Sequence, residues 1–101
     1  GRAEGKVVTV APEIARGGLP AIQAALSSVR MTPLPGIDPN QKNLTAGSYA
    51  KYGNGGGVET YALARVESDA NNPAIFRVTT ASTDVETAIG VQEAILSQLL
   101  P

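Results

Sequence analysis

Alternating apolar and polar positions between residues 58 and 82 predict a β-hairpin. Two runs, 58–68 and 74–82, are rich in β-branched and small apolar residues, and the turn-forming segment 69–73 connects them. Because successive side chains of a strand point to opposite faces, the hairpin has one apolar and one mixed face. The apolar face contains Thr60, Ala62, Ala64, Val66, Ala74, Phe76 and Val78, and the mixed face contains Tyr61, Leu63, Arg65, Glu67, Ile75, Arg77 and Thr79.

A helical spacing of apolar residues follows the hairpin. Thr83 and Glu86 form the pattern of a capping box, which predicts a helix that begins with Thr83 as the N-cap. The predicted apolar side contains Val85, Ala88, Ile89, Ile95, Leu96 and Leu99, and the polar side contains Glu86, Gly90, Glu93 and Ser97. This pattern predicts an amphipathic C-terminal helix of about four to five turns.

The first half of the chain has weaker patterns. The β-branched run 6–11 predicts a strand that ends at Pro12. Residues 13–31 have apolar side chains at helical spacing, but Gly17, Gly18 and Pro20 argue against a helix that starts before about residue 20, so a short helix and a bent strand both fit. Residues 32–57 are interrupted throughout by proline and glycine, and we expect a long connecting segment there.

The composition limits the core that one chain can form. The chain has 101 residues, enough for one domain (1–101), and 43% of them are hydrophobic, but only three tyrosines and one phenylalanine supply large aromatic groups. A chain of this size buries only about two-thirds of its unfolded surface. We therefore predict an α+β fold in which an antiparallel sheet and the C-terminal amphipathic helix pack on a dimer partner. The predicted dimer interface contains Phe76, Val78, Ile89, Ile95, Leu96 and Leu99.

The residue types argue against catalysis and against a cofactor. The chain has no cysteine and no histidine, so it lacks the thiolate and imidazole groups that active sites and metal sites commonly use. Its carboxylates show no pairing pattern, and no run approaches the ~18 apolar residues of a membrane span. We expect no enzymatic activity, no catalytic residue, no metal, no cofactor and no membrane partner.

Charge is distributed unevenly along the chain. Residues 1–82 hold eight basic and six acidic residues, a balance of +2, whereas residues 83–101 hold three acidic residues and no basic one. Such an asymmetry fits one face for a polyanion and another for solvent, and it also fits a surface helix that is simply acidic.

Three stretches resemble coat proteins of the small single-stranded RNA bacteriophages, and together they cover about half of the chain. The first resembles a first-strand segment: Val8-Thr9-Val10-Ala11-Pro12. The second resembles the approach to a middle strand: Gly18-Leu19-Pro20-Ala21-Ile22 with Ser28-Val29-Arg30. The third, residues 61–84 leading into 91–101, resembles the last strand and the helix after it.

The resemblance implies a capsid protein of the virion, assembled in the cytoplasm of a bacterial host. Coat proteins of this kind form homodimers in which each subunit's helices cross the other's sheet. The dimers assemble into an icosahedral shell around single-stranded RNA, and the inner sheet face binds an RNA hairpin. On this chain the corresponding face is the mixed one, and the implied RNA-binding residues are Tyr61, Arg65, Arg77 and Thr79.

Two other structural roles fit the same patterns. Residues 74–79 resemble terminal strands of minor pilins, which favours an extracellular filament subunit. A small α+β assembly unit also fits a phage tail or head-completion protein.

Overall fold

The chain folds into one antiparallel sheet with two helices, as a computed structural model that describes residues 1–33, 47–55, 58–69 and 71–101 shows. The elements are β1 Lys6–Thr9, α1 Pro12–Ser27, β2 Thr32–Pro33, β3 Gly47–Gly55, β4 Val58–Asp69, β5 Asn72–Ser82 and α2 Val85–Leu99. The strands lie in the order β1-β5-β4-β3-β2. The predicted α+β class is confirmed, and two strands occupy part of the predicted connecting segment, whose residues 34–46, 56 and 57 lie outside the described ranges.

The predicted hairpin is strands β4 and β5. Arg65 pairs with Thr79 and Val66 with Val78, and the register shifts at a bulge between Ser68 and Asp69. Where the chain reverses, the Asp69 carboxylate accepts a hydrogen bond from the Asn71 amide at 2.7 Å. A polar side chain that holds a nearby backbone amide is a usual way to stabilise a tight turn.

The N-terminal segment extends the sheet beyond β5. Strand β1 pairs antiparallel with β5, with Lys6 opposite Val78 and Val7 opposite Arg77. Before β1, the amide of Ala3 donates to the carbonyl of Thr80 at 3.0 Å, and the terminal amino group donates to the carbonyl of Ser82 at 2.7 Å. The beginning of the chain is therefore held along the whole length of β5.

Helix α1 shows that this part of the chain is a kinked helix, so the expectation that no long helix starts before about residue 20 was wrong. The helix begins at Pro12, whose fixed φ and missing N–H suit a first helical position. Gly18 interrupts it with φ 63° and ψ −146°, a conformation open to glycine because it lacks a Cβ. Beyond the kink, Leu19, Ile22 and Leu26 are fully buried.

Both helices cover the same face of the sheet. The predicted apolar face is confirmed at Ala62, Ala64, Val66, Phe76 and Val78, which are all buried. Ala74 is half-buried, and the side chain of Thr60 lies outside the described part of the structure. The core contains Val10, Leu19, Ile22, Leu26, Met31, Ala64, Val66, Phe76, Val78, Ile95 and Leu99. In the structure α2 lies on the sheet of its own chain. The expected arrangement, in which each subunit's helix crosses its partner's sheet, stays a prediction.

Helix α2 is rotated relative to the predicted helix. Its buried side consists of Ala88, Gln92, Ile95 and Leu99, while Val85 and Ile89, which were predicted on the apolar side, are 46% and 42% exposed. Gln92 is buried because its amide nitrogen donates to the carbonyls of Glu4 (2.8 Å) and Val78 (3.0 Å). Hydrophobicity alone predicts that apolar residues, and not a glutamine, lie on the buried side of α2. Gln92 can lie there because it hydrogen-bonds two backbone carbonyls.

The N-cap of α2 is Asp84, and the prediction of Thr83 was wrong by one residue. Asp84 has extended backbone angles, and its carboxylate accepts hydrogen bonds from the Thr87 amide at 2.7 Å and the Thr87 hydroxyl at 2.9 Å. These bonds, the amide first, lower the pKa of Asp84 below its ordinary value of 3.8.

Replacing Asp84 with alanine is expected to lower the melting temperature by a few degrees, because it removes the cap. Thr83→Ala, the adjacent control, should leave it nearly unchanged. Since folding lowers the pKa of Asp84, its stabilising effect is present above pH 3.8 and is lost as the pH falls through the lower folded-state pKa. Circular dichroism melting at neutral and at strongly acidic pH measures both effects. A larger loss for Thr83→Ala at neutral pH would contradict the assignment.

Candidate nucleic-acid interface

The sheet face opposite the helices is uncovered in the described structure. Strand pairing places Arg65 opposite Thr79 and Glu67 opposite Arg77, and β1 adds Val7 on the other side of Arg77. Directly opposed residues of an antiparallel pair share a face. The open face is defined here as Arg2, Val7, Tyr61, Leu63, Arg65, Glu67, Ile75, Arg77, Thr79 and Ala81.

Apolar groups are exposed on this face. Val7 is 58% exposed, Tyr61 44% and Leu63 39%, and Ile75 is half-buried between the strands. Tyr61 and Leu63 lie two residues apart on β4, so together they offer a surface on which a planar or apolar partner can pack, while Val7 lies at the other end of the face. A tyrosine in such a position presents its ring for stacking.

Arginines supply the positive charge of the open face. Arg65 and Arg77 are exposed on neighbouring strands, and Arg2 is held opposite Ala81 by an isolated bridge. The Arg65 Nε lies 3.6 Å from Glu67 Oε1, with side chains 59% and 33% exposed. A pair this exposed and this long holds Arg65 only weakly, so its guanidinium can contact another anion.

One end of the face is concave. A depression of about 170 Å³ lies at the hairpin end of strands β1, β4 and β5. It is lined by Val7, Glu67, Ser68, Asp69, Ile75 and Arg77. The depression therefore combines aliphatic walls with two carboxylates and one guanidinium group.

All four predicted RNA-binding residues lie together on the open face. Tyr61, Arg65 and Arg77 are exposed, and Thr79 is half-buried beside Arg65. The structure brings these side chains to one surface, and their role in binding RNA stays a prediction.

Sequence reasoning missed the contribution of the N-terminal segment. Arg2 and Val7 join the open face because β1 pairs with β5, which lies some seventy residues away in the sequence. The β-branched run 6–11 indicated a strand but carried no information on its neighbour. A pattern within one segment contains no signal for a pairing of this kind.

Most of the predicted dimer-interface residues lie inside the chain's own core. Phe76, Val78, Ile95 and Leu99 are at most 3% exposed, Leu96 is half-buried and Ile89 is exposed. These four are buried because both helices cover their own sheet. Of the six predicted interface residues, Ile89 is accessible to a second chain and Leu96 is accessible in part.

Other kinds of site have little support among the described residues. In those ranges no group of three or more carboxylates is placed to hold a metal ion. Neither described helix has the length and apolarity that crossing a bilayer requires.

Comparison with known proteins gives no relative for this chain: no family model, no curated protein and no solved structure matches it. The function is therefore argued from the open face itself.

Two isoleucines on opposite sides of α2 test the observed rotation of the helix. Ile95→Asp is expected to abolish folding, because it buries an unpaired charge in the core where Ile95 is 1% exposed. Ile89→Asp should change the free energy of unfolding by no more than about 0.5 kcal/mol, as for a surface position. Urea unfolding followed by circular dichroism measures both. A folded Ile95→Asp variant beside an unfolded Ile89→Asp variant would contradict the packing of α2.

Proposed function

We propose that this protein is a coat protein that dimerises and assembles into an icosahedral shell around single-stranded RNA. The single observation that carries the proposal is the open face, where arginines and an exposed tyrosine lie on the side of the sheet that the helices leave uncovered. The virion is then the location of the protein, after assembly in the cytoplasm of a bacterial host.

The open face has the chemistry that single-stranded RNA requires. Proteins bind unpaired RNA by stacking bases on aromatic rings and by contacting phosphates with cationic side chains. Arg65 and Arg77 are diagonal neighbours across strands β4 and β5, about 7–8 Å apart at the backbone, so both can contact one short segment of RNA. Tyr61 lies on the same strand and the same face as Leu63 and Arg65, where a base can stack on its ring.

The α2 side of the subunit is acidic, which disfavours contact with RNA and suits the outside of a shell. Asp84, Glu86 and Glu93 are exposed on and beside α2, and the segment 83–101 has no basic residue. Since like charges repel, the phosphate chain is directed to the sheet side of the subunit. This arrangement supports a shell with the open face inward and α2 outward.

Self-association is supported by surfaces that lie outside the open face. Val85, Ile89 and Leu100 are each more than 40% exposed along or just beyond α2. Strand β1 is the edge of the sheet, and an unpaired edge is a ready site for another chain. A homodimer that covers these groups would add the apolar burial that a chain with few aromatic residues lacks.

A pilin-like subunit or a phage tail or head-completion subunit remains the alternative assembly role. The exposed Val7 and Leu63 favour it, because a purely protein-binding subunit also uses apolar groups on an open sheet face. In that case the arginines would contact acidic groups of a neighbouring subunit instead of phosphate.

Replacing both Arg65 and Arg77 with alanine is expected to weaken binding of single-stranded RNA and to flatten its dependence on salt. For every phosphate that the protein no longer neutralises, the slope of log affinity against log salt becomes shallower by roughly 0.7. Folding should be retained, because both side chains are exposed. Fluorescence anisotropy with a labelled RNA at several salt concentrations measures the slope.

The matched control is Arg16→Ala with Arg30→Asn, which removes the same charge away from the open face. Arg30 has φ 62°, and asparagine is chosen because it tolerates that left-handed conformation better than alanine. The control should retain the wild-type slope. Equal slopes for all three proteins would remove the open face from RNA binding, and negative-stain images of purified protein would then decide between spherical shells and filaments.

A further inference from the structure

The depression at the hairpin end of the open face has a chemistry distinct from the rest of that face. Val7 and Ile75 provide two aliphatic walls, Glu67 and Asp69 provide carboxylates, and Arg77 provides a guanidinium group. Elsewhere the face is cationic, which favours any polyanion without regard to sequence. The carboxylates weaken that general attraction at this end and offer hydrogen-bond acceptors instead.

The walls suit a flat ring. Val7 lies opposite Arg77 in the register, and Ile75 lies two residues before Arg77 on the same face, so the aliphatic side chains border the depression where it meets the guanidinium group. Apolar side chains can hold an unpaired base by packing against its π-face. A volume of about 170 Å³ is of the size of a single nucleobase.

The carboxylates select which edge of the ring is bound. An ionised carboxylate only accepts hydrogen bonds, so the bound edge must present N–H donors. The Asp69 Oδ1 atom already accepts from the Asn71 amide at 2.7 Å, whereas the contact that Glu67 makes among the described residues is the weak 3.6 Å one with Arg65. Glu67 therefore has more of its acceptor capacity free for a ligand than Asp69 has.

We propose that this depression is a guanine-binding subsite for an unpaired nucleotide, with Glu67 accepting hydrogen bonds from the Watson–Crick edge of the base. Guanine presents two adjacent donors there, N1–H and the 2-amino group, which match the two oxygens of one carboxylate. Uracil, cytosine and adenine each present a single donor group on that edge. The subsite rests on the proposed binding of single-stranded RNA, and it adds base selectivity to it.

Arg77 has a separate role in the subsite. It lies directly opposite Glu67 on the neighbouring strand, so its guanidinium group can contact the phosphate of the nucleotide whose base Glu67 holds. Arg77 then contributes affinity for every sequence, and Glu67 contributes discrimination. Because the two roles differ, substitutions at the two positions have different effects.

The experiment uses labelled octauridylate and three octamers in which one central uridine is replaced by guanosine, adenosine or cytidine. Wild type is expected to bind the guanosine octamer about tenfold more tightly than octauridylate, within the range of one good bidentate base contact. Glu67→Gln should abolish this preference, because an amide offers one acceptor and one donor. Arg77→Ala should weaken binding of all four octamers.

Glu93→Gln is the matched control, since it removes the same charge from α2 and Glu93 is exposed on the opposite side of the subunit. It should retain the wild-type preference for the guanosine octamer. Amide chemical-shift changes at Val7, Glu67 and Ile75 on adding the guanosine octamer, but not octauridylate, are also expected.

The outcomes separate the two proposals. If wild type binds all four octamers equally and with a salt slope that depends on Arg65 and Arg77, the guanine subsite is overturned and the RNA-binding face stands. A preference that survives Glu67→Gln overturns the subsite as well. If no octamer binds at low salt, both proposals are overturned.

Discussion

Val66 and Val78 face each other across strands β4 and β5, and both are fully buried under the helices. The division of the hairpin into a core face and an open face follows from this pair, because strand residues alternate between two faces. With Val66, Val78 and Phe76 directed to the core, Arg65, Glu67 and Arg77 must point to the open side. A slip of one residue would bury the guanidinium groups without partners, so the register is strongly determined.

Hydrogen bonds complement a core that is poor in large side chains. The Gln92 amide joins α2 to the N-terminal segment and to β5, the Thr80 hydroxyl donates to the Ala88 carbonyl at 2.6 Å, and the Ala11 amide donates to the Leu99 carbonyl at 2.8 Å. Bonds of this kind contribute modestly when made, but a buried group left without its partner costs about 1–3 kcal/mol. They therefore define where α2 sits more sharply than contacts among small aliphatic groups can.

The two-sided subunit connects the fold to the proposed function. The helices occupy one face of the sheet and carry acidic groups outward, which leaves the arginines, Tyr61 and the depression on the other face. The arginines that attract phosphate and the carboxylates of α2 that repel it thus lie on opposite sides of the sheet and its helices. In the proposed function this separation of charge orients the subunit relative to RNA, and the proposed selectivity for a base comes from the carboxylate at the hairpin end.

The elements whose signals are local could be predicted from the amino-acid sequence. Alternation in 58–82 defined the hairpin and divided its faces correctly, and helical spacing after residue 83 defined α2, because both periodicities follow directly from backbone geometry. The same patterns left open the position of β1 beside β5, the addition of Arg2 and Val7 to the open face, and the burial of Gln92 in place of Ile89. Those features depend on which backbone groups meet across long sequence separations. Only the tertiary structure determines these features, because a carbonyl at a strand edge or in the core can accept a hydrogen bond from any donor that folding brings to it.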